Sequence, residues 1–256
     1  MNIIVIRKRT IISVAIVFAI ICISLIYQVN LKTGVFSYFV NNDSEMPIYS
    51  VDIKEKRVAL TFDVGWGDQY INEILNVLEG HNTKATFFVL GTWAQRYPDA
   101  VRAINESGNE IGNHSTTHIK MTKIPSEKIK NEIKNAEECL MKITGKRTNL
   151  LRVPYGEYNN EVISTAKEMH YTIVQWNIDS LDTEGENAQD VTDRVISKAN
   201  NGSIILFHTN SKVTVNALPE IINSLSKDGY KFIKVSDLLY KENYYVDNTG
   251  MQKLLK

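Results

Sequence analysis

Two of the five histidines, His114 and His118, are separated by three residues in the chain. On a helical turn this spacing places both imidazoles on the same side, within reach of a single ion. Neutral imidazole is a good ligand for zinc, cobalt or nickel. Two solvent-facing or hydrogen-bonded histidines would have the same spacing. The metal-site interpretation is favoured because a third histidine, His208, ends an apolar run elsewhere in the chain.

An aspartate and a histidine each end an apolar run that is typical of a buried strand. Asp63 follows one such run, and a buried carboxylate is costly unless a charge such as that of Arg152 pairs with it. His208 follows another, and an acid such as Asp182 would orient it and raise its pKa, which suits a general acid. A structural acid and a satisfied core histidine are the alternative interpretations.

Together these residues predict metal-assisted hydrolysis. A metal polarises a carbonyl and its bound water, a carboxylate takes up the water's proton, and an imidazolium protonates the leaving group. A backbone N–H stabilises the oxyanion. The sequence has no G-x-S-x-G motif, and Cys139 lies within a predicted helix. A mechanism with a nucleophilic serine or cysteine is therefore less favoured.

Alternating strand-like and helical patterns from residue 56 onward must position these side chains. The predicted strands are 57–62, 85–90, 110–113, 149–153, 171–176, 203–208 and 232–235. The predicted helices are 69–79, 98–107, 126–143, 159–169, 187–200 and 214–227. This alternation predicts an α/β fold with a parallel sheet, and seven strands without a G-x-G-x-x-G motif favour a barrel over a dinucleotide-binding sheet. The candidate residues follow strands, where parallel α/β folds place their active groups.

Composition restricts the class of protein. The 256 residues are 43% hydrophobic and 23% charged, which allows a sizeable core in one or at most two domains and excludes widespread disorder. Two cysteines, Cys22 and Cys139, exclude a disulfide scaffold. Basic and acidic residues number 29 each, so the overall charge does not indicate nucleic-acid binding.

The first 33 residues predict a membrane segment. Arg7, Lys8 and Arg9 precede residues 11–27, an almost uninterrupted apolar run that spans about 25 Å as a helix and is just long enough to cross a bilayer. The basic flank predicts a cytoplasmic tip and an extracytoplasmic remainder at the cell membrane. No A-x-A-like site follows, which favours an uncleaved anchor over a cleaved signal peptide of a secreted protein. A linker is predicted at 34–54.

Four motifs occur in order along the chain: Thr61-Phe62-Asp63, His114-Ser115-Thr116-Thr117-His118, Arg152-Val153-Pro154-Tyr155 and Leu206-Phe207-His208. As an ordered set they resemble the NodB-homology polysaccharide deacetylases of carbohydrate esterase family 4. The stretch 63–68, with its lead-in 47–49, is similar to the sporulation-linked PdaB-type branch. The resemblance implies a distorted (β/α) barrel in a domain at 55–240, followed by a C-terminal tail at 241–256.

The resemblance implies removal of N-acetyl groups from amino sugars of cell-wall or spore peptidoglycan, and it carries the family's roles over to the matching residues. They are Asp63 as catalytic base, His114 and His118 as metal ligands, Arg152 as the residue that orients the base, Tyr155 through its backbone N–H in the oxyanion hole, His208 as general acid, and Asp182 as the aspartate that tunes this acid. The implied cofactor is a divalent metal, with zinc preferred over cobalt or nickel.

Two positions depart from the family pattern. The first motif usually contains a second aspartate, which is the third metal ligand, and this chain has Val64 there. Asp68 is a candidate substitute ligand, or alternatively a cap for the following helix. Thr183 stands where a tryptophan usually follows the Asp182 motif. Metal binding is therefore expected to be weak or absent.

Two functions from different classes follow from these residues. One is a membrane-anchored peptidoglycan deacetylase, and the other is a non-catalytic or weakly active glycan-binding protein of the spore wall, which Val64 favours. An esterase acting on acetylated xylan would have the same site. Trp66, Trp93 and Tyr155 are predicted to stack on sugar rings, with ordinary packing as the alternative. The expected partners are an N-acetylated glycan and, through residues 11–27, the membrane; no nucleic acid is expected, and the protein is predicted to be a monomer.

Overall fold

The computed structural model describes residues 46–255 of the chain. The predicted membrane segment at 11–27 and most of the predicted linker lie outside these residues. Within residues 46–255, no helix combines the length and the apolar character that are needed to cross a bilayer.

Strands and helices alternate along most of the described chain. The strands are β1 (Ser50–Val51), β2 (Arg57–Val64), β3 (Thr86–Val89), β4 (Glu110–Asn113), β5 (Leu150–Leu151), β6 (Thr172–Ile173), β7 (Ile178–Asp179), β8 (Ile204–His208), β9 (Lys231–Phe232), β10 (Tyr244–Val246) and β11 (Met251–Leu254). The helices are α1 (Ile71–Gly80), α2 (Gly91–Arg96), α3 (Pro98–Glu106), α4 (Ser126–Thr144), α5 (Asn160–Glu168), α6 (Ala188–Lys198), α7 (Lys212–Lys227) and α8 (Val235–Leu238). Short 3-10 helices cover Met121–Lys123 and Pro154–Gly156.

A parallel sheet of eight strands forms the centre of the described structure. The strand order is β6-β5-β4-β3-β2-β8-β7, and β9 pairs with the first residues of β2. The order is open at β6 and β7, so the sheet is a curled half-barrel rather than a closed barrel. Single bridges join Ile48 to Val174, after β6, and Ser50 to Ser203, before β8. Residues 48–50 therefore contact the parallel sheet at two places, after β6 and before β8.

The central strand β2 has apolar side chains on both faces, as expected for a strand of a parallel sheet that is covered on both sides. Leu60, Phe62 and Val64 belong to the large core cluster that the sheet forms with α1 and α7. Ala59 belongs to a second cluster on the opposite face. By the same alternation, Asp63 points away from the helix-covered face that buries Val64.

A small second sheet lies in segments that were predicted as linker and tail. It has the order β1-β11-β10, with β1 parallel and β10 antiparallel to β11. Gly202 makes a close approach possible here, because a Cβ atom at this position would lie 1.8 Å from the carbonyl oxygen of Val51. The sheet thus attaches both ends of the described chain to the parallel sheet.

The predicted α/β class and the parallel sheet are confirmed. Each predicted strand and each predicted helix overlaps an observed one. The sequence did not predict α2, α8, β7 or the second sheet. These elements are short or follow no sustained period, so their sequences alone carry little signal.

Candidate active site

The predicted site residues lie at the carboxyl ends of the parallel strands. Asp63 is near the end of β2, His208 ends β8, and these two residues are register partners on adjacent strands. His114 follows β4 and Arg152 follows β5. A cavity of about 220 Å³ opens at this edge. It is lined by Asp63, Trp66, His114, His118, Tyr155, Trp176, Asp179, Leu181, Thr183, Glu184, Leu206 and His208.

Asp63 and Arg152 form a buried ion pair. Arg152 Nη1 donates to Asp63 Oδ1 at 2.9 Å. The guanidinium also donates through Nε to the carbonyl of Val174 (3.2 Å) and through Nη2 to that of Gln175 (3.0 Å), so it cannot rotate away. Burial alone would raise the pKa of Asp63, but neighbouring His114 and Arg152 hold it below its ordinary value. Asp63 is therefore a fixed, ionised carboxylate whose second oxygen remains for another partner.

His114 presents one ring nitrogen to that second oxygen. Its Nδ1 is 2.8 Å from the carbonyl oxygen of Arg152, which can only accept, so Nδ1 carries a proton. Its Nε2 is buried, has no hydrogen-bond partner within the described residues, and lies 3.4 Å from Asp63 Oδ2. Burial lowers the pKa of His114 and favours the neutral ring. A lone pair then faces a carboxylate, an arrangement that a bound cation or a proton would stabilise.

His118 lies beside His114, with 5.0 Å between the ring centroids. The two residues are not on a helical turn as predicted, because Ser115 and His118 have φ values of 70° and 60°. Glu132 on α4 holds the loop by accepting hydrogen bonds from the backbone N–H groups of Thr116 (3.0 Å) and Thr117 (2.8 Å). Burial and neighbouring His114 lower the pKa of His118 to about 4, so its ring is neutral at pH 7.

His208 is held by a buried aspartate. Its Nδ1 lies 2.8 Å from Asp182 Oδ1, and its backbone N–H donates to Asp182 Oδ2 at 2.8 Å. The hydroxyl of Thr214 donates to the same carboxylate. Burial opposes protonation of the ring, but the hydrogen bond to Asp182 and the charge of Asp63 raise the pKa of His208 above its ordinary value. Neighbouring strands thus carry an ionised carboxylate and an imidazole whose protonated form is favoured.

Two exposed aromatic side chains flank the histidines at the cavity mouth. Trp66 and Tyr155 are 49% and 56% exposed, and their rings lie 4.8 and 4.5 Å from the ring of His118. Tyr155 has a φ of 61°, an uncommon backbone conformation for a residue with a side chain. Trp93, by contrast, is 3% exposed and donates through Nε1 to the carbonyl of Gly67 at 2.7 Å. Trp93 is therefore a core residue and not a platform for sugars.

The donor set for a metal is incomplete. Val64 is fully buried in the core, and Asp68 is exposed and does not line the cavity; its carbonyl accepts from the N–H of Ile71 at 3.1 Å. Neither predicted role of Asp68 is observed, because α1 begins after Tyr70 without a side-chain cap. In the described part of the chain, no group of three His, Cys, Asp or Glu side chains is arranged to hold a metal. His114 and His118 fit two ligand positions, which suits weak binding of a divalent ion.

The sequence assigned no functional role to three polar or aromatic residues of the cavity: Trp176, Asp179 and Glu184. Trp176 ends a predicted strand, and its indole lies 5.4 Å from the guanidinium of Arg152. Asp179 and Glu184 flank the predicted Asp182 motif. Position at the end of a strand was the available signal for all three, but their side chains suggested no specific chemistry.

The chain is similar to known proteins. Residues 50–174 match the family described as polysaccharide deacetylase. The chain is 36% identical over 189 residues to the peptidoglycan-N-acetylmuramic acid deacetylase PdaC of Bacillus subtilis, covering 74% of this chain and 40% of that protein. It is 33% identical over 219 residues to a peptidoglycan-N-acetylglucosamine deacetylase of Bacillus cereus, covering 83% of this chain and 80% of that one.

One solved structure bears on activity. A CE4 family pseudoenzyme from Bacillus anthracis is 30% identical, with a TM-score of 0.74, 76% of this chain covered and 69% of that one. A mutant of that pseudoenzyme with restored enzymatic activity has the same TM-score. Similarity in this fold therefore extends to both active and inactive proteins.

Proposed function

Because the chain belongs to the polysaccharide deacetylase family, we propose that it hydrolyses the N-acetyl groups of peptidoglycan amino sugars, with Asp63 as base and His208 as acid. The observation that carries this proposal is that Asp63 and His208 are register partners on adjacent strands, each held by a hydrogen bond to a buried side chain of opposite charge. The pKa of Asp63 is lowered and that of His208 is raised, so the base is ionised and the acid is protonated in the same pH range.

The proposed reaction begins with water held by the free oxygen of Asp63. Asp63 removes a proton while the water oxygen attacks the acetamide carbonyl, and Arg152 keeps the carboxylate ionised and in place. His208 then gives a proton to the amide nitrogen as the C–N bond breaks. The products are acetate and a free amine. Asp182 keeps Nδ1 of His208 protonated, which leaves Nε2 to deliver the proton.

Two further groups would lower the barrier. We propose that the backbone N–H of Tyr155 stabilises the oxyanion, since its φ of 61° turns this short segment at the cavity wall. His114 and His118 would hold a divalent ion of zinc, cobalt or nickel. When bound, such an ion would polarise the carbonyl and stabilise the developing negative charge.

Val64 supports a second candidate, a non-catalytic or weakly active glycan-binding protein. Without the usual carboxylate at this position, two neutral imidazoles must hold any metal. Trp66 and Tyr155 would still bind a sugar ring at the cavity mouth. The pseudoenzyme from Bacillus anthracis shows that proteins with this fold can lack activity.

The cellular setting is proposed from the sequence. We expect residues 11–27 to anchor the chain in the cell membrane with the catalytic domain outside, where it would meet the wall or the spore peptidoglycan. We also expect a monomer that does not bind nucleic acid. Detection of the full chain in membrane fractions, with its domain accessible to added protease, would test the proposed location.

Acetate release from N-acetylated peptidoglycan by the purified full chain tests the proposed activity. Release should occur, and it should increase on addition of Zn²⁺ or Co²⁺. The His114→Ala variant should lose the metal-dependent part, whereas the His81→Ala variant, in a histidine outside the cavity, should retain it. If no metal supports release and glycan binding is unchanged in His114→Ala, the protein is a binding protein.

A further inference from the structure

The loop that carries both proposed metal ligands has an uncommon backbone conformation. This histidine loop, residues 114–118, follows β4 and belongs to no helix or strand. Ser115 and His118 have φ values of 70° and 60°, in the left-handed region that residues with side chains disfavour. Such a conformation persists only where the surrounding structure imposes it. The position of His118 therefore depends on the contacts that hold this backbone.

One carboxylate outside the loop satisfies the backbone at its centre. Glu132 Oε2 accepts hydrogen bonds from the N–H groups of Thr116 and Thr117 at 3.0 and 2.8 Å. Glu132 Oε1 accepts from the hydroxyl of Thr117 at 3.0 Å, and the backbone carbonyl of Glu132 accepts from the hydroxyl of Thr116 at 2.7 Å. Hydrogen bonds to an ionised acceptor are stronger than those to a neutral one. All of these bonds attach the loop to a single residue of α4.

Other contacts hold the first half of the loop independently of this carboxylate. The carbonyls of Ser115 and Thr116 accept from the N–H groups of Gly91 and Thr92, at the start of α2, at 2.9 and 3.0 Å. The N–H of His118 donates to Ser115 Oγ at 3.1 Å, which is an acceptor inside the same loop. This bond fixes His118 only if the backbone between the two residues is fixed as well. Loss of the carboxylate should therefore release the half of the loop that carries His118.

We propose that Glu132 is a positioning residue, which fixes His118 beside His114 so that both rings can bind one divalent ion. The ring centroids of the two histidines are 5.0 Å apart. Glu132 does not line the cavity, so it acts through the loop and not by contact with a ligand. Replacing a residue that orients a metal ligand typically lowers metal affinity or activity by about 10- to 100-fold. The effect on metal affinity rests on the proposed function, whereas the fixing of the loop does not.

The affinity of the full chain for Co²⁺, measured by competition with a chromophoric chelator, tests the effect on the metal site. Glu132→Ala should weaken the Kd about tenfold or more. Glu138→Ala is the matched control and should leave the Kd unchanged, because Glu138 is an exposed acid of the same helix that pairs with Lys134 at 3.7 Å. Urea unfolding at the same pH reports stability separately. A lower free energy of unfolding with an unchanged Kd would mean a purely structural role and would overturn the proposal.

Two conservative variants separate position from charge. Glu132→Gln has the same length, and its side-chain oxygen can still accept from the N–H groups of Thr116 and Thr117, so the Kd should stay within about threefold of that of the unmodified chain. Glu132→Asp keeps the charge but is one methylene shorter, so it should weaken the Kd about tenfold. If Glu132→Asp binds Co²⁺ as well as Glu132→Gln or better, the charge matters rather than the position, and the proposal is wrong.

Hydrogen exchange of the loop amides tests the proposal without metal, glycan or turnover. Mass spectrometry of a peptide that covers residues 114–118 should show exchange about tenfold faster in Glu132→Ala and Glu132→Asp than in the unmodified chain. Exchange in Glu132→Gln and Glu138→Ala should be close to that of the unmodified chain. Equal exchange in Glu132→Ala and Glu138→Ala would overturn the proposal.

The two measurements also distinguish this proposal from the proposed function. If the unmodified chain does not bind Co²⁺, the metal-binding part of the proposed function is contradicted, and the exchange rates alone decide whether Glu132 fixes the loop. If Co²⁺ binds with the expected order of affinities but no acetate is released, the proposed hydrolysis is contradicted and the role of Glu132 is supported.

Discussion

Replacement of Asp182 by asparagine tests how His208 is tuned. Asp182 is buried and accepts hydrogen bonds from the backbone and the ring of His208, both at 2.8 Å, and from the hydroxyl of Thr214. Asparagine has nearly the same shape but no charge. A hydrogen bond to a charged group contributes about 1.5–3 kcal/mol. Loss of that amount from the transition state lowers kcat roughly 10- to 150-fold.

The substitution should also shift the pH dependence. His208 must be protonated to act as an acid, so activity falls as the pH rises through its folded pKa. Burial lowers that pKa, and the hydrogen bond to Asp182 is the largest effect that raises it, so replacing Asp182 should lower the pKa even though the charges of Asp63 and Asp179 remain. The alkaline limb of the kcat profile should therefore move to lower pH in Asp182→Asn. In the unmodified chain, the contact between His208 and Asp182 also contributes to the free energy of unfolding. This contribution is fully present below 6.5, the ordinary pKa of histidine, and is lost as the pH rises through the raised pKa of His208 in the folded state.

The assay is acetate release as a function of pH, with unfolding in urea at the same pH values. Asp193→Asn is a matched control, because Asp193 is an exposed acid on α6 that is absent from the cavity. The control should retain both the rate and the profile. If the alkaline limb of Asp182→Asn coincides with that of the unmodified chain, or if kcat falls less than about threefold, the assigned role of Asp182 is wrong.

Three more substitutions have expected outcomes. Asp63→Asn leaves the guanidinium of Arg152 buried without a counter-ion and should lower the free energy of unfolding by about 3–5 kcal/mol at pH 7. The stabilisation by Asp63 is present above the ordinary pKa of 3.8 and is lost as the pH falls through the lowered folded pKa. In urea titrations, the difference between the variant and the unmodified chain should therefore shrink over this pH range. Trp66→Ala should weaken glycan binding about fivefold in titration calorimetry. It should change the free energy of unfolding by less than about 1 kcal/mol, because Trp66 is half exposed. Unchanged glycan binding would show that Trp66 does not contact the sugar. Gly202→Ala should destabilise the fold by at least about 2 kcal/mol in thermal unfolding, because the added Cβ would meet the carbonyl of Val51. Gly145→Ala is the control: Gly145 has a similar φ of 69° and no atom within 4 Å of an added Cβ, so the substitution should cost about 1 kcal/mol. Equal losses of stability would show that the contact with Val51 does not matter.

The sequence predicted the location of the site better than its shape. Asp63 and His208 end apolar runs, and parallel strands bring their carboxyl ends to one edge, so their proximity follows from local patterns. The conformation of the loop that carries His118 does not follow from local patterns. Its backbone is fixed by Glu132, which is distant in sequence, and by positive φ values that no spacing rule indicates.

Residues that depend on long-range packing were also missed. The sequence suggested that Trp93 could face a sugar, but Trp93 is buried in the large core cluster. The segment at 241–256 has no sustained period, yet β10 and β11 form there because β1 provides a partner strand. In both cases the decisive contacts join residues far apart in the chain, and single-sequence patterns do not report them.

The central claim is that Asp63 serves as the base in hydrolysis of a sugar acetamide. Its most direct test is the rate of acetate release from one N-acetylated glycan by the unmodified full chain and by Asp63→Asn, each folded at pH 7 with added Zn²⁺ or Co²⁺. We predict equal amounts of acetate and free amine from the unmodified chain, and a rate at least about 100-fold lower in the variant. Equal rates from the two proteins, or no release from the unmodified chain with either metal, would contradict the account.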